Sequence, residues 1–168
     1  MTPNDLVLTP LGLRFQGRTY PCTIGRGGVS AKKREGDGAT PTGVHRIVGM
    51  LYRPDRMPCP TSWAVPIGPG DLWSDDPKAE DYNMMVRAPY AYSHERLRRA
   101  DPLYDLVVLT DWNWPYAIKG RGSAIFVHQF RRPGFPTEGC VALSRSDLRR
   151  IAKRITYRTR LIVDHRLA

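Results

Sequence analysis

The sequence predicts a β-rich fold, mainly strand, with one main α-helix. Short apolar or alternating segments recur between turn signals along most of the chain. One stretch alone has the 3.6-residue period of a convincing helix, and prolines crowd the middle third too densely for long regular elements. The length of 168 residues suits one domain over residues 1–168. A chain of this size buries roughly 70% of its unfolded surface. Hydrophobic residues make up 41%, which excludes a disordered polymer.

Residues 5–9 read as a short strand, and Leu11, Leu13 and Phe15 alternate with smaller or polar residues in a second. Gln16-Gly17 offers a turn, so residues 18–24 read as the returning strand of a hairpin. Residues 25–38, with Gly25-Arg-Gly-Gly28 and a charged run from Lys32, show no period and read as loop. Residues 44–50 read as another strand. Residues 53–92 hold seven of the 15 prolines, interleaved with Trp63, Trp73, Tyr82, Tyr90 and Tyr92. They predict a structured loop insertion near the site, with at most one short hairpin. Ser93 caps an expected short helix over residues 93–100. Residues 106–110 and 124–127 read as buried central strands, the second running into His128. Residues 144–155 form the main helix: Ser144 and Asp147 approximate a capping box, and Leu148, Ile151, Ala152 and Ile155 share a face. Residues 161–163 close the chain as a last strand.

Charge and cysteine usage narrow the function. Lys and Arg number 26 against 16 acidic residues, a net charge of +10 that favours an anionic partner. No apolar run approaches the ~20 residues of a membrane span. Cys22, Cys59 and Cys140 are too few for a disulfide scaffold. Cys22 lies on a strand pattern and Cys59 between two prolines, and both read as inert. No C-x-x-C or H-x-x-x-H spacing supports a metal, and Gly25-Arg-Gly-Gly28 lacks the ending of a phosphate loop, so neither metal nor cofactor is expected. The opening Met-Thr-Pro-Asn-Asp has no secretory pattern, which leaves a cytoplasmic protein or one whose leader has been removed.

The most informative segment is Gly122-Ser-Ala-Ile-Phe-Val-His-Gln-Phe-Arg-Arg-Pro-Gly-Phe-Pro-Thr-Glu-Gly-Cys140. A buried strand ends on His128, a Gly/Pro-rich loop follows, and Thr137-Glu-Gly-Cys140 stands before the helix. A cysteine nucleophile needs an imidazole to take its proton and backbone N–H groups for the developing oxyanion. Cys140, His128 and Gly139 supply those groups. On these residues alone, a catalytic pair and two ordinary buried residues weigh about equally.

The segment resembles the signature of the L,D-transpeptidase (YkuD-type) catalytic domain, in which a strand-end His precedes a loop ending in Ser/Thr-His-Gly-Cys. A second motif, Thr40-Pro-Thr-Gly43, resembles that family's Thr-Pro-x-Gly turn, in the family's order and roughly its spacing. The likeness covers most of residues 5–165 and implies a barrel- or sandwich-like β fold. It implies a peptidoglycan acyltransferase with Cys140 as nucleophile, His128 as general base, and the Gln129 backbone carbonyl orienting His128. Gly139 and Cys140 amides would form the oxyanion hole. The thiolate would attack a stem-peptide carbonyl, and the thioester would pass to the amine of a neighbouring diaminopimelate, or to water.

Two departures stand out. Glu138 replaces the family's His before Gly-Cys, and the loop from His to Cys is short. Glu138 reads equally as a contact for the acceptor's ammonium, or for a water, and as a solvated carboxylate. The Thr-Glu-Gly-Cys form resembles a short proteobacterial-looking subset that uses the L-Ala carbonyl, giving a 1,3 rather than a 3,3 link. Thr137, Arg121, Arg131, Trp112, Trp114, Tyr82 and His94 complete the candidate substrate contacts. The expected partners are donor and acceptor stem peptides, the expected state a monomer, and the expected place the periplasm. A hydrolase with the same site, or a basic non-catalytic module binding murein or nucleic acid through the arginines of residues 145–160, are the competing readings.

Overall fold

The computed structural model describes residues 1–31 and 33–168. A short apolar run and an alternating segment build the first elements: β1 (Leu6–Thr9), β2 (Gly12–Phe15) and β3 (Arg18–Tyr20) pair antiparallel in turn. Gln16 and Gly17 both take positive φ, 47° and 74°, as a two-residue primed turn requires. The strand expected over residues 18–24 breaks at Pro21, which lacks an N–H for the ladder. β4 (Cys22–Thr23) starts beyond it.

β5 (Val29–Ser30) and β6 (Thr40–Pro41) form a small parallel pair that closes the charged loop. The longest strand, β7 (Gly43–Tyr52), extends the apolar pattern of residues 44–50 at both ends. Then come β8 (Val65–Pro66), β9 (Asp71–Ser74), β10 (Met85–Arg87), β11 (His94–Arg96), β12 (Leu106–Thr110), β13 (Phe126–Gln129) and β14 (Val141–Leu143). The helix α1 (Arg145–Ala152) and the strand β15 (Arg160–Val163) end the order.

The main sheet runs β3-β2-β1-β15-β7-β12-β13-β14-β4, with β8 on the side of β7. Its two end strands are separated in sequence by Pro21 alone, so the sheet curls into a nearly closed barrel. Leu6, Leu13, Phe15, Met50, Val127 and Leu143 fill the interior, together with Leu148 and Ile151 of α1. Ser144 caps α1, its Oγ accepting from the Asp147 N–H at 3.1 Å. The helix is shorter than its apolar pattern: it stops at Ala152, and Thr156 and Thr159 bond each other in a turn that feeds β15.

Residues 53–92 hold more regular structure than their prolines suggest. β9 and β10 form a hairpin, and β11 joins its other edge. The helix expected over residues 93–100 is therefore a strand followed by bends. Its sequence offers a single buried apolar side chain, Leu97, which is too narrow a face for a helix, whereas β9 offers an open edge. This small sheet covers the outer face of β7, β12 and β13. Trp73, Leu97, Tyr104, Val107, Phe126 and Cys140 form a second core there.

Part of the basic stripe after residue 144 is committed to internal pairs. Arg160 clamps the buried Asp5 carboxylate with two bonds, at 2.9 and 2.7 Å, and holds it well below the usual carboxylate range. Arg145 lies 3.6 Å from the buried Asp105. Among the described residues no helix is long and apolar enough to cross a membrane.

Candidate active site

β13 and β14 run parallel with His128 opposite Ala142. Side chains two apart on a strand, and side chains paired across strands, point to the same face. Val127 thus points into the barrel, while Phe126 and His128 point to the outer core that Cys140 also joins.

Cys140 is buried. Its Sγ–H donates to the Ala124 carbonyl at 3.0 Å, and its Sγ accepts from the Phe126 N–H at 3.3 Å. Ala124 takes a positive φ of 51°, so β13 begins only at Phe126, two residues later than its sequence suggests, and the irregular backbone before it holds the sulfur. Burial, reinforced by the negative field of Glu95, pushes the Cys140 thiol up to about 12.

His128 is equally buried. Its Nδ1 lies 2.7 Å from the Gln129 carbonyl, which can only accept, so Nδ1 carries the proton and Nε2 the lone pair. Burial pushes this imidazole down to about 4. The resting pair is therefore a neutral thiol and a neutral imidazole across the neutral range. The Tyr104 ring stands edge-on to the imidazole, centroids 5.2 Å apart, and fixes its plane.

A second set of contacts fixes the loop before Cys140. Thr137 Oγ1 donates to the Cys140 carbonyl at 2.6 Å and accepts from the Gly139 N–H at 3.2 Å. Thr40 Oγ1 donates to the Gly139 carbonyl at 2.8 Å and accepts from the Gly25 N–H at 3.0 Å. A trans peptide sets its C=O and N–H in opposite directions, so pinning the Gly139 oxygen also aims the Cys140 N–H. Gly25 packs against this turn so closely that a Cβ would sit 2.1 Å from the Gly38 carbonyl oxygen and 2.9 Å from Gly139 Cα. Gly25 thus serves backbone packing around the Cys140 loop, and Gly27 packs against the backbone of residues 37–39. Thr40→Val removes both Thr40 bonds inside a buried site and is expected to cost about 1–3 kcal/mol. Acylation of Cys140 should fall about tenfold or more while the chain still melts cooperatively, which stopped-flow mass measurement and calorimetry together check.

Cys140, His128 and Tyr104 open on one cavity of about 450 Å3. Glu35, Asp75 and Glu95 line one part of it, and Lys33, Arg99 and Arg131 bring positive charge. Lys33 is buried and paired with Asp37 at 2.6 Å, and Arg99 with Asp101 at 2.7 Å. Tyr104 donates its hydroxyl to Glu95, whose carboxyl burial holds above the usual range. Among the described residues no three His, Cys, Asp or Glu side chains converge as a metal-holding group.

Of the substrate contacts expected from sequence, Thr137, Arg131 and Glu138 line this cavity. Glu138 is largely exposed and pairs with Arg26 at 2.9 Å, at the solvent edge. The other five do not line it. Trp112, Trp114 and Arg121 line a separate open cleft with His45 and Tyr116, where the Arg121 guanidinium sits 5.0 Å above the Trp112 ring. The β12–β13 connection that carries them turns toward the start of β7 (Thr42, Gly43 and Val44), away from Cys140. Tyr82 is buried behind the cavity wall, donating to Glu35 at 2.5 Å and accepting from the Gly122 N–H at 3.0 Å. His94 lies on β11 with its Nδ1 2.7 Å from the Tyr92 carbonyl and its ring against Tyr90.

Nothing in the sequence singles out Tyr104, Glu35, Asp75 and Lys33, and Glu95 stands out only weakly, beside His94. They stand in loops and short strands, and only the fold brings them to the cysteine. Thr40 had a legible signal, its place in the Thr-Pro-x-Gly turn.

The sequence model of the L,D-transpeptidase catalytic domain (YkuD) matches residues 14–163 of this chain. No curated protein and no solved structure matches it.

Proposed function

The chain belongs to the L,D-transpeptidase catalytic-domain family, and from that premise we propose that it cross-links peptidoglycan stems through a thioester on Cys140. The family is one of cysteine-dependent L,D-transpeptidases, so its substrate class is the peptidoglycan stem peptide. In the reaction proposed, Cys140 Sγ attacks the donor carbonyl as its proton passes to His128 Nε2. Because thiol and imidazole are both neutral at rest, proton transfer and attack belong to one step rather than to a standing ion pair. The C–N bond then breaks, and His128 returns the proton to the leaving amine. An acceptor amine resolves the thioester into a cross-link, and water resolves it into a shortened stem.

The single observation carrying this reading is that the Cys140 sulfur and the His128 ring share one cavity, next to a Gly139-Cys140 peptide held by Thr40. Gln129 acts in it through the carbonyl that fixes the imidazole tautomer. The oxyanion is assigned to the N–H of Cys140. The Gly139 N–H donates to Thr137 Oγ1 at 3.2 Å, and a charged oxyanion competes favourably with a neutral hydroxyl for such a donor. Arg131 and Thr137 are assigned to the donor stem. The donor carbonyl is assigned to L-Ala, on the likeness of Thr137-Glu-Gly-Cys140 to the form that makes 1,3 links. Every group used comes from one chain, so a monomer suffices. Mature peptidoglycan places the reaction in the periplasm.

Mass spectrometry of purified sacculi incubated with wild type or Cys140→Ala tests the reading. The expected result is new dimers with the wild type alone, fragmenting to an L-Ala donor. Dimers with a diaminopimelate donor overturn the L-Ala assignment, shortened stems without dimers overturn transfer in favour of hydrolysis, and no change in either sample overturns the enzyme.

A further inference from the structure

Resolving a thioester with an amine poses a proton problem. An acceptor enters as an ammonium and leaves as an amide N–H, so its nitrogen gives up two protons. One returns through His128 to the Cys140 sulfur, and the other needs a second base inside the cavity. His128 cannot hold both, because it has one lone pair and its imidazole is a weak base in this burial.

We propose that Glu95 is that second base, binding the acceptor's ammonium together with Asp75 and removing its first proton. This rests on the transpeptidase reading above. Glu95 lines the same cavity as Cys140 and His128, on the strand that the outer sheet adds beside β9. Tyr104, whose ring abuts His128, donates to Glu95 Oε2, so the carboxylate is fixed relative to the imidazole. The acceptor's ammonium is assigned to Oε1. Asp75 also lines the cavity, and its buried Oδ1 has no hydrogen-bond partner among the described residues. A buried carboxylate oxygen left without a donor is costly, and an incoming ammonium would supply one. Glu138, read from sequence equally as an acceptor contact and as a solvated carboxylate, pairs with Arg26 at the cavity's solvent edge.

The atoms balance. Ionised Glu95 takes one proton from the ammonium, and the freed nitrogen lone pair forms the C–N bond to the thioester carbonyl. The nitrogen's second proton passes to His128 Nε2. The C–S bond then breaks with its electron pair on Sγ, and His128 protonates that thiolate. Glu95 releases its proton to water at the cavity mouth. Water as the acceptor carries no ammonium proton, so hydrolysis does not need Glu95.

The consequence is a split between two fates of one acyl-enzyme. Glu95→Gln keeps an oxygen that can accept from Tyr104 but cannot take a proton. With a tetrapeptide-stem muropeptide as donor and diaminopimelate as acceptor, it is expected to lower the ratio of cross-linked to hydrolysed product tenfold or more. Asp75→Asn should raise the KM for the acceptor severalfold more than the KM for the donor. In the wild type the ratio should fall as acid protonates Glu95, whose carboxyl titrates above the usual range among Tyr104, Asp75, Arg99, Glu35 and Cys140. That pH limb should vanish in Glu95→Gln. Acylation with an unaltered product ratio and pH limb in Glu95→Gln would overturn the assignment to Glu95 alone. Absence of acylation in the wild type would instead overturn the transpeptidase reading beneath it.

Discussion

Cys140→Ala is expected to reduce cross-link formation and acyl-enzyme formation to background, because in the reaction proposed the sulfur is the atom that bonds to the donor carbonyl. The fold should survive. The substitution frees the Ala124 carbonyl and the Phe126 N–H, a loss of about 1–3 kcal/mol in a buried site. Cys140→Ser retains groups able to make both bonds, and separates chemistry from packing. Its alcohol, far less acidic than a thiol, should still give no more than trace product beside a neutral imidazole. Calorimetry with an intact-mass assay of both variants checks the two statements together. Turnover by Cys140→Ala would remove the nucleophile from the account.

His128→Ala comes second in expected size, lowering the acylation rate roughly a hundredfold or more, the scale of a lost general base. The pH dependence is the sharper readout. Burial holds the imidazole at about 4, below the 6.5 of a free histidine, so the base stays neutral as pH falls through 6 and 5. Acylation by the wild type should show no His128 limb near pH 6.5, and should lose the base only near pH 4. Linkage runs the same way for stability. An unfolded chain takes up the His128 proton below about 6.5 while the folded one does not, so the His128 contribution is full above that pH and is lost progressively down to about 4. His128→Gln should flatten that part of the stability curve. A kinetic limb at 6.5 that disappears in His128→Gln would contradict the burial argument.

Much of the barrel was legible because its elements obey local rules. Short apolar runs gave β1, β12 and β15, the alternation of Leu11, Leu13 and Phe15 with the Gln16-Gly17 turn gave the hairpin of β2 and β3, and one capped amphipathic stretch gave α1. Where expectations failed, a long-range demand had overruled local preference. Within residues 93–100, His94–Arg96 became a strand because β9 had an edge to fill, and residues 124–125 left β13 because their backbone bends to receive Cys140. That Cys140 and His128 would share one cavity was readable, since both sit near the ends of adjacent strands within one short segment. The rest of the cavity was not, because Lys33 and Glu35 of the β5–β6 loop, Asp75 after β9, Glu95 on β11 and Tyr104 before β12 come from parts of the chain that only the fold gathers. Conversely, Trp112, Trp114 and Arg121 lie near His128 in sequence, yet their loop carries them to another cleft. Proximity along the chain was a sound guide within a strand pair and a poor one across a loop.

The most direct test of the central claim is the mass of the intact protein during incubation with a purified stem-peptide donor, followed by mapping of the Cys140 peptide. The expected result is a transient adduct equal in mass to the donor's acyl group, located on Cys140, absent from Cys140→Ala and discharged by diaminopimelate. A donor consumed with no adduct on Cys140, or an adduct that forms on another residue, would contradict it.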